Sequence, residues 1–320
     1  MARRLVVALA LALAPAASSA AEPDKRFPLF AYLTGEPGAA VVAYVPSELD
    51  PRAEVNNRRL PTSSIRADLA ALRPAFDGLV LYGYHESATP RILAVAKELK
   101  FRAVILGVWD PKSAAELDGV AALAKQHEAD FALGLIVGNE GVTFKRYEAD
   151  DITIALARLR PVLPKAVAVA TSEPLFLYKE AFARDFGDFL APNIHPVFDQ
   201  KDLDPAAAAA WARDEAAKLA KRAGKPVLVK ETGMPHAGTR EGKTYTPAMQ
   251  TAFWTAYLKP GRLTQMDGGG WVSHAVGFEA FDLAWKAAES KLEIEASWGL
   301  MSAKRQPHPA FAVWKDAAKK

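Results

Sequence analysis

The sequence has 320 residues, of which 50% are hydrophobic and 24% charged, a composition that can build one large core or two modest ones. The formal net charge is +3, and removal of Arg3 and Arg4 with an N-terminal signal would leave 3 − 2 = +1. This balance gives no electrostatic reason to expect nucleic acid or an anionic membrane as a partner. Because cysteine is absent, disulfide bonds and thiolate metal sites are excluded.

Residues 1–20 have the pattern of a secretory signal peptide, with two arginines, a short apolar stretch and a site of small residues. The paired arginines also leave a twin-arginine signal open, with little support from their neighbours. The apolar stretch is too short to span a bilayer, and no later segment is long and apolar enough. We therefore expect an exported protein, periplasmic or extracellular, with an N-terminal extension at 21–38 and one main domain at 39–320.

Eight apolar, β-branched runs recur along the chain, each bounded by Gly, Pro, Asp or Asn. They lack polar alternation, which is typical of strands that are covered on both faces in a parallel sheet. The runs occupy residues 39–45, 77–84, 101–109, 131–138, 166–172, 188–195, 226–231 and 275–281.

Amphipathic segments with helix-start signals lie between these runs. The signals are Ser63 or Ser64, Thr89 before Pro90, Ser113 with Glu116 as a capping box, Asp204 before Pro205, and Thr246 before Pro247. Eight alternating βα units in about 280 residues predict an α/β fold, a single-domain (β/α)8 TIM barrel. A doubly wound sheet is the main alternative, but no G-x-G-x-x-G follows the first strand and no G-x-x-x-x-G-K occurs.

Two predicted strands end on a carboxylate: LIVGNE ends the fourth at Glu140, and PVLVKE ends the seventh at Glu231. In a barrel of this kind, active sites are built at the C-terminal ends of the strands, so both side chains can face one point. A single glutamate at a strand end is more often an ion-pair partner or a cap. Two of them on one rim, without histidines at metal-ligand spacing, predict glycosidic bond cleavage with no metal and no cofactor.

Between residues 41 and 310 the chain resembles glycoside hydrolase family 17, the retaining β-1,3-glucanases and β-1,3-glucan transglycosylases with a (β/α)8 fold. The motifs that carry the resemblance are LYGY at 81–84, ILGVW at 105–109, VGNE at 137–140, KETGMP at 230–235, FEAFDLAWK at 278–286 and WGL at 298–300. The resemblance implies that Glu140 is the general acid/base, that Glu231 is the nucleophile and that Asn139 binds the sugar 2-hydroxyl. Glu140 then needs a raised pKa, whereas Glu231 must stay ionised, with help from Lys230 or Lys286.

Sugar binding needs flat apolar faces and polar edges, so further candidates lie near the strand ends. Tyr82, Trp109 and Phe278 are candidates for stacking on glucose units. Glu279 and Lys286, together with Asn139, are candidates for holding hydroxyl groups.

Other positions near the strand ends are less decisive. In the sixth strand, His195 and Phe198 are candidates for the cleft. Met234 stands where many family members have tryptophan, and Leu283 where a second acid often follows the aspartate. Glu86 and Glu173 also follow strands, but we interpret them as rim charges or loop caps.

Two classes of function remain open at this point. The first is an enzyme that hydrolyses β-1,3-glucan or transfers glucosyl units through the same covalent intermediate. The second is an exported barrel that binds glucan without turnover. The paired carboxylates favour the enzyme, because binding alone does not require such a pair. In either case, we expect a monomer whose partner is a β-glucan polysaccharide or oligosaccharide.

Overall fold

The computed structural model describes residues 26–200 and 202–318. The predicted signal peptide lies outside the described residues. No helix within the described ranges is both long and apolar enough to cross a membrane.

Most strands of the described chain belong to one parallel sheet. The strands are β1 Val41–Ala43, β2 Gly78–Val80, β3 Ala103–Val108, β4 Ala132–Asn139, β5 Ala168–Ser172, β6 Val227–Leu228, β7 Thr239–Arg240, β8 Lys243–Thr244, β9 Leu263–Gln265, β10 Trp271–Ser273 and β11 Val276–Gly277. Six of them pair in the order β11-β1-β2-β3-β4-β5, and all five ladders are parallel. β10 pairs in parallel with β6, and antiparallel with β9.

The sector between β5 and β6 is joined by isolated bridges instead of a ladder. Pro174 pairs with Asn193, and Asn193 in turn pairs with Glu231, both in parallel. The prediction of a regular sixth strand at 188–195 is therefore wrong. These residues nevertheless lie between the segments after β5 and at β6, as predicted. Pro192 has no N–H group to donate, which interrupts the hydrogen-bond ladder there.

The other predicted strands are present; β4 is as long as its apolar run, and the others are shorter. β9, β10 and the β7–β8 hairpin were not predicted; the segments of β9 and the hairpin are polar and only partly buried. They do not belong to the six-stranded sheet.

Helices connect and cover the strands. They are α1 Pro28–Thr34, α2 Glu54–Arg59, α3 Thr62–Leu72, α4 Thr89–Glu98, α5 Ala114–His127, α6 Ala149–Leu159, α7 Ala181–Arg184, α8 Pro196–Asp199, α9 Pro205–Ala223, α10 Pro247–Leu258, α11 Ala284–Ser290 and α12 Pro309–Ala317. Short 3₁₀ segments occupy Leu175–Lys179, Asp267–Gly269 and Glu293–Ala296.

The predicted helix caps have mixed outcomes. Asp204 and Thr246 cap α9 and α10 as predicted, and Gly224 ends α9 with a φ of 62°. Ser63 and Ser64 are not caps, because α3 already begins at Thr62. Ser113 does accept a hydrogen bond from the Glu116 N–H, but the Glu116 carboxylate binds other backbone groups, so the capping box is only half formed.

The helix α1 packs at the N-terminal ends of the strands. The Phe30 ring meets Phe189 and Trp271 edge-on, with centroid separations of 5.9 and 5.2 Å. Leu29 is fully buried beside Gly134 of β4, where a Cβ on residue 134 would lie 2.5 Å from the Leu29 side chain. Since apolar side chains fill this end, polar chemistry belongs at the opposite end, where the strands terminate.

Candidate active site

The strand β4 ends in an unusual backbone conformation next to its last polar residues. Gly138 has a φ of 79°, and a Cβ there would lie 2.4 Å from the Tyr147 hydroxyl. Glu140 has a φ of 54°, in the left-handed region that non-glycine residues seldom adopt. Strained backbone of this kind is concentrated at functional sites. The turn explains why a buried strand can end on an amide and a carboxylate.

Asn193 connects the groups at the end of β4. Its Nδ2 donates to Glu140 Oε1 at 2.8 Å and approaches Asn139 Oδ1 at 3.3 Å. Ser172 Oγ donates to Asn193 Oδ1 at 3.0 Å, which fixes the orientation of the amide. Through its backbone bridge to Glu231, the same asparagine links both predicted catalytic carboxylates.

Glu231 is buried between two cationic or titratable side chains. Lys230 Nζ donates to Glu231 Oε1, and His195 Nε2 lies 3.2 Å from Glu231 Oε2. Both carboxylate oxygens therefore have a partner. Lys230 also lies over the Tyr82 ring, with Nζ 4.6 Å from the centroid.

The two carboxyl groups have opposite pKa shifts. Burial raises the pKa of Glu140, and the negative charge of Glu231 raises it further, against the hydrogen bond from Asn193. Burial alone would raise the pKa of Glu231 as well, but the charge of Lys230 and the hydrogen bond to His195 outweigh burial and hold that pKa well below its usual value. Such a pair supplies a proton donor and an ionised nucleophile at the same pH.

His195 is coupled to the same pair. Burial would lower the pKa of His195, but its hydrogen bond to Glu231 and the charges of Glu231 and Glu140 outweigh burial and raise the pKa. Its Nδ1 is buried and has no hydrogen-bond partner among the described residues. His195 therefore stabilises the ionised form of Glu231.

We predict that Lys230→Met moves the acidic limb of the pH–activity profile to higher pH. Removal of the positive charge raises the pKa of Glu231, so the carboxylate is lost at a higher pH than in the wild type. Loss of one partner from a buried pair should also lower the free energy of unfolding by about 3–5 kcal/mol. That stability difference should shrink as the pH falls and Glu231 is protonated in both folded and unfolded chains.

The pH profile of kcat/KM and urea unfolding at several pH values test this prediction. Lys225→Met is a suitable control, because within the described part of the chain Lys225 donates only to the carbonyl oxygens of Phe186 and Gly187. An unchanged acidic limb in Lys230→Met would contradict the role of Lys230.

Glu279 and Lys286 form a second buried pair beside the first. Lys286 Nζ donates to Glu279 Oε1 at 2.9 Å and lies 3.8 Å from Glu295. Burial raises the pKa of Glu279 to about 7, although the charge of Lys286 opposes the shift. Burial would lower the pKa of Lys286, but Glu279 and Glu295 outweigh it and raise that pKa. Lys286 Nζ lies 4.8 Å from the Phe278 ring centroid, and that ring contacts His195, so the two pairs belong to one site.

Aromatic rings surround His195. Its ring centroid lies 5.2 Å from Phe278, 5.3 Å from Trp298 and 5.8 Å from Phe198, each in an edge-on contact. Phe278 is only 4% exposed, so it supports His195 and offers little ring surface to a sugar. Phe198 is 36% exposed and has more ring surface available.

Trp109 and Tyr82 differ in how much of the ring is exposed and in the groups that contact it. Trp109 is 44% exposed, and the Arg146 guanidinium lies 3.8 Å from its ring centroid. Its backbone N–H donates to Glu116 at 2.7 Å, which fixes the end of β3. Burial and the charges of Glu231 and Glu279 raise the pKa of Tyr82 well above its usual value, and its buried hydroxyl has no hydrogen-bond partner among the described residues.

The remaining predicted positions have structural roles. Glu173 accepts hydrogen bonds from the Val142 N–H and the Thr143 hydroxyl, and so holds the loop after β4, as a loop cap should. Glu86 is an exposed rim charge, 3.3 Å from Arg58. Met234 is 2% exposed and Leu283 is likewise buried, so neither presents a side chain to a sugar.

Sequence reasoning missed three residues of this site. Asn193 and Trp298 lie outside the regular strands, and Arg146 lies in a loop, so no periodic pattern marked them. The Arg146 guanidinium donates to the Asn139 carbonyl oxygen and stacks on the Trp109 ring. These contacts show that Arg146 connects the ends of β3 and β4. WGL at 298–300 was the one signal that pointed to Trp298.

In a parallel α/β barrel, a carboxyl group of raised pKa at the end of β4 and a carboxylate of lowered pKa after β6, linked through Asn193, define a glycosidase-type site. A profile described as the BtgE/BtgC glycoside hydrolase domain matches residues 42–299, and the chain belongs to that family. The resemblance to family 17 glycosidases inferred from the motifs is thereby confirmed, as is the barrel fold.

Several known proteins are similar to this chain. The probable glucan endo-1,3-beta-glucosidase btgC of Aspergillus fumigatus is 28% identical over 282 residues, which is 78% of this chain and 40% of that protein. The chain thus spans about two-fifths of the length of that curated relative. Among solved structures, an endo-laminarinase from Formosa Hel1_33_131 has a TM-score of 0.68 at 17% identity, covering 83% of each chain. The glycoside hydrolase family 17 beta-1,3-glucanosyltransferase from Rhizomucor miehei has a TM-score of 0.65 at 20% identity, covering 86% of this chain and 97% of that one.

Proposed function

We propose that the protein is an exported retaining glycoside hydrolase that cleaves internal β-1,3 linkages of a glucan, with Glu231 as the nucleophile and Glu140 as the general acid/base. The observation that carries the proposal is the arrangement of these two buried carboxyl groups: Asn193 donates to Glu140, whereas Lys230 and His195 contact Glu231, and their pKa values shift in opposite directions. Sugar binding alone does not require one protonated and one ionised carboxyl group.

In the first step, a Glu231 oxygen attacks the anomeric carbon and the bond from that carbon to the glycosidic oxygen breaks. The bonding electron pair moves to the leaving oxygen, which takes the proton of Glu140. Lys230 and His195 keep Glu231 ionised until the attack. The product of the step is a glucosyl ester on Glu231, with the leaving sugar free to depart.

In the second step, a water molecule attacks the same carbon and gives its proton to the Glu140 carboxylate. The ester bond breaks and returns its electron pair to Glu231, so the configuration is retained after two inversions. When the intermediate forms, Glu231 loses its charge, and the pKa of Glu140 falls because the repelling charge has gone. Glu140 thus changes from acid to base at the required moment.

The substrate class is inferred from the relatives. The curated relatives include a probable endo-1,3-beta-glucosidase, and the structures with the same fold include an endo-laminarinase. We assign Asn139 to the sugar 2-hydroxyl, because a hydrogen bond there strengthens as the transition state forms. Trp109, Tyr82 and Phe198 supply ring surface. Phe278, Glu279, Lys286 and His195 shape the site and its charge.

Glucosyl transfer is the second candidate, since a sugar hydroxyl can replace water in the second step. A solved structure with the same fold is the beta-1,3-glucanosyltransferase from Rhizomucor miehei. An active-site mutant of that Rhizomucor miehei enzyme was solved in complex with laminaritriose. The stacked Trp109 and Arg146 give an acceptor sugar a flat, partly exposed surface. Transfer is favoured if an acceptor binds there before water attacks.

We predict that a reduced laminari-oligosaccharide is converted into shorter products whose new reducing ends are initially in the β configuration. Retention follows from two displacements at one carbon, and water is the expected acceptor at low substrate concentration. Mass spectrometry of the products and proton NMR of the first turnover measure both outcomes. Longer products would indicate transfer, α products would contradict retention, and no products would support a binding protein.

A further inference from the structure

A cluster of two histidines and one aspartate lies outside the proposed catalytic groups. His236 Nε2 lies 2.9 Å from Asp282 Oδ1, and His308 Nε2 lies 2.8 Å from Asp282 Oδ2. The two imidazole rings face each other, with centroids 3.9 Å apart and planes 35° apart. One ligand atom from each residue lies within 4.8 Å of the others. Sequence spacing gave no sign of this cluster, because its members come from three distant segments.

One short segment organises all three side chains. The His236 N–H donates to the Ser297 carbonyl at 2.8 Å, and the His308 N–H donates to the Leu300 carbonyl at 2.9 Å. The Gly299 N–H donates to Asp282 Oδ1 at 3.1 Å. Backbone groups of 297–300 therefore fix the positions of both histidines and orient the carboxylate. A hydrogen bond to a ligating carboxylate, like that from Gly299 to Asp282, is typical of metal sites.

The donor set and its burial are chemically suited to a transition metal. We propose that His236, Asp282 and His308 bind one divalent transition-metal ion of the Zn²⁺ class. Imidazole nitrogens suit Zn²⁺, Cu²⁺ and Ni²⁺, whereas Mg²⁺ and Ca²⁺ require mainly oxygen ligands. The side chains are 12%, 20% and 21% exposed, so an ion can enter from solvent. Two histidines and a carboxylate form a three-ligand set that a water molecule or anion completes to four.

The alternative is a hydrogen-bonded network without metal, in which both imidazoles donate to one aspartate. The two arrangements differ in what replaces the Nε2 protons. A metal ion displaces both protons and bonds to both nitrogens, whereas the network needs each proton in place. A substitution that keeps a donor but removes the metal-binding nitrogen therefore separates them.

The ion would connect three segments at the strand C-termini. His236 lies five residues after Glu231, Asp282 lies three residues after Glu279, and His308 immediately precedes α12. Binding to the folded chain alone stabilises it in proportion to the logarithm of ion concentration. The expected consequence is a higher melting temperature with Zn²⁺ present, independent of any turnover.

The test compares the wild-type chain with His308→Gln after removal of metal with EDTA. We expect the wild type to bind one Zn²⁺ by calorimetric titration and elemental analysis, and to melt at a higher temperature with Zn²⁺. In His308→Gln, whose amide can still donate to Asp282, affinity should fall at least about tenfold and the thermal shift should disappear. Melting in EDTA reports whether the variant is folded, and His236→Gln provides a second variant if it is not.

His127→Gln is the matched control, because His127 also bonds one aspartate, Asp130, but has no second imidazole there. It should bind Zn²⁺ as the wild type does. The proposal is overturned if the wild type binds no Zn²⁺, or if His308→Gln and His236→Gln bind it as tightly as the wild type does.

Discussion

Glu231→Gln is expected to abolish sugar release from laminarin, with a fall in kcat on the order of 10⁴-fold or more. The amide cannot attack the anomeric carbon, so no glucosyl ester forms. Binding of laminarin should remain measurable, since Gln has the size of Glu and leaves the cleft intact. Reducing-end assays give the rate, and calorimetry with the oligosaccharide gives the affinity.

Glu86→Gln is the matched control for this experiment. Glu86 follows β2, as Glu231 follows β6, but Glu86 is exposed and contacts Arg58 instead of the buried pair. Its activity should stay close to that of the wild type. If Glu231→Gln is folded by circular dichroism and keeps its activity, the assignment of Glu231 as the nucleophile is contradicted.

Glu140→Ala is expected to lower turnover of laminarin by roughly 10²–10⁴-fold, the range for loss of a general acid. The loss should be much smaller for formation of the intermediate from a dinitrophenyl β-glycoside, whose leaving group needs no proton. Azide, which needs no general base, should then restore turnover and yield a β-glycosyl azide. Stopped-flow release of dinitrophenol and analysis of the azide product measure the two effects.

Glu173→Ala provides the comparison for Glu140→Ala. Glu173 is a buried carboxylate at the end of the neighbouring strand, but it bonds the loop at 142–143. Its removal should disturb the loop without creating a need for an external base, so azide should not restore its activity. Equal rescue of both variants would contradict the assignment of Glu140.

The fold and the positions of the two carboxylates at strand ends could be predicted from sequence because both depend on local patterns. Apolar runs without alternation gave the parallel strands, and Glu140 and Glu231 stood where such runs stop. β4 is eight residues long and was predicted almost to its ends. Fold class and enzyme family follow from these features together with the motifs.

The parts that sequence could not predict depend on contacts between distant segments. Asn193 reaches Glu140 across 53 positions, and its own segment contains a proline that prevents a regular strand. Met234 was noted where many family members have tryptophan, and its side chain is buried in the core. His308 contacts Asp282 because backbone groups of the segment 297–300 hold both residues. Neither hydrophobic periodicity nor residue spacing in the sequence indicates contacts of this kind.

The charge environment was predictable only in part. Lys230 or Lys286 was expected to help keep Glu231 ionised; Lys230 forms the ion pair with Glu231, whereas Lys286 pairs with Glu279. His195 was considered for the cleft without a stated charge role, yet it bonds the other oxygen of Glu231. The raised pKa of Glu279, about 7, depends on complete burial beside Glu295 and could not be foreseen.

The most direct test of the central claim is to trap the covalent intermediate with a 2-deoxy-2-fluoro laminaribiosyl fluoride. The fluorine at C2 slows both steps, while the fluoride leaving group preserves the first. Peptide mass spectrometry should find one added glycosyl unit per chain, on the peptide that contains Glu231. A label on a different carboxylate, or rapid turnover with no label and inverted products, would contradict the proposed mechanism.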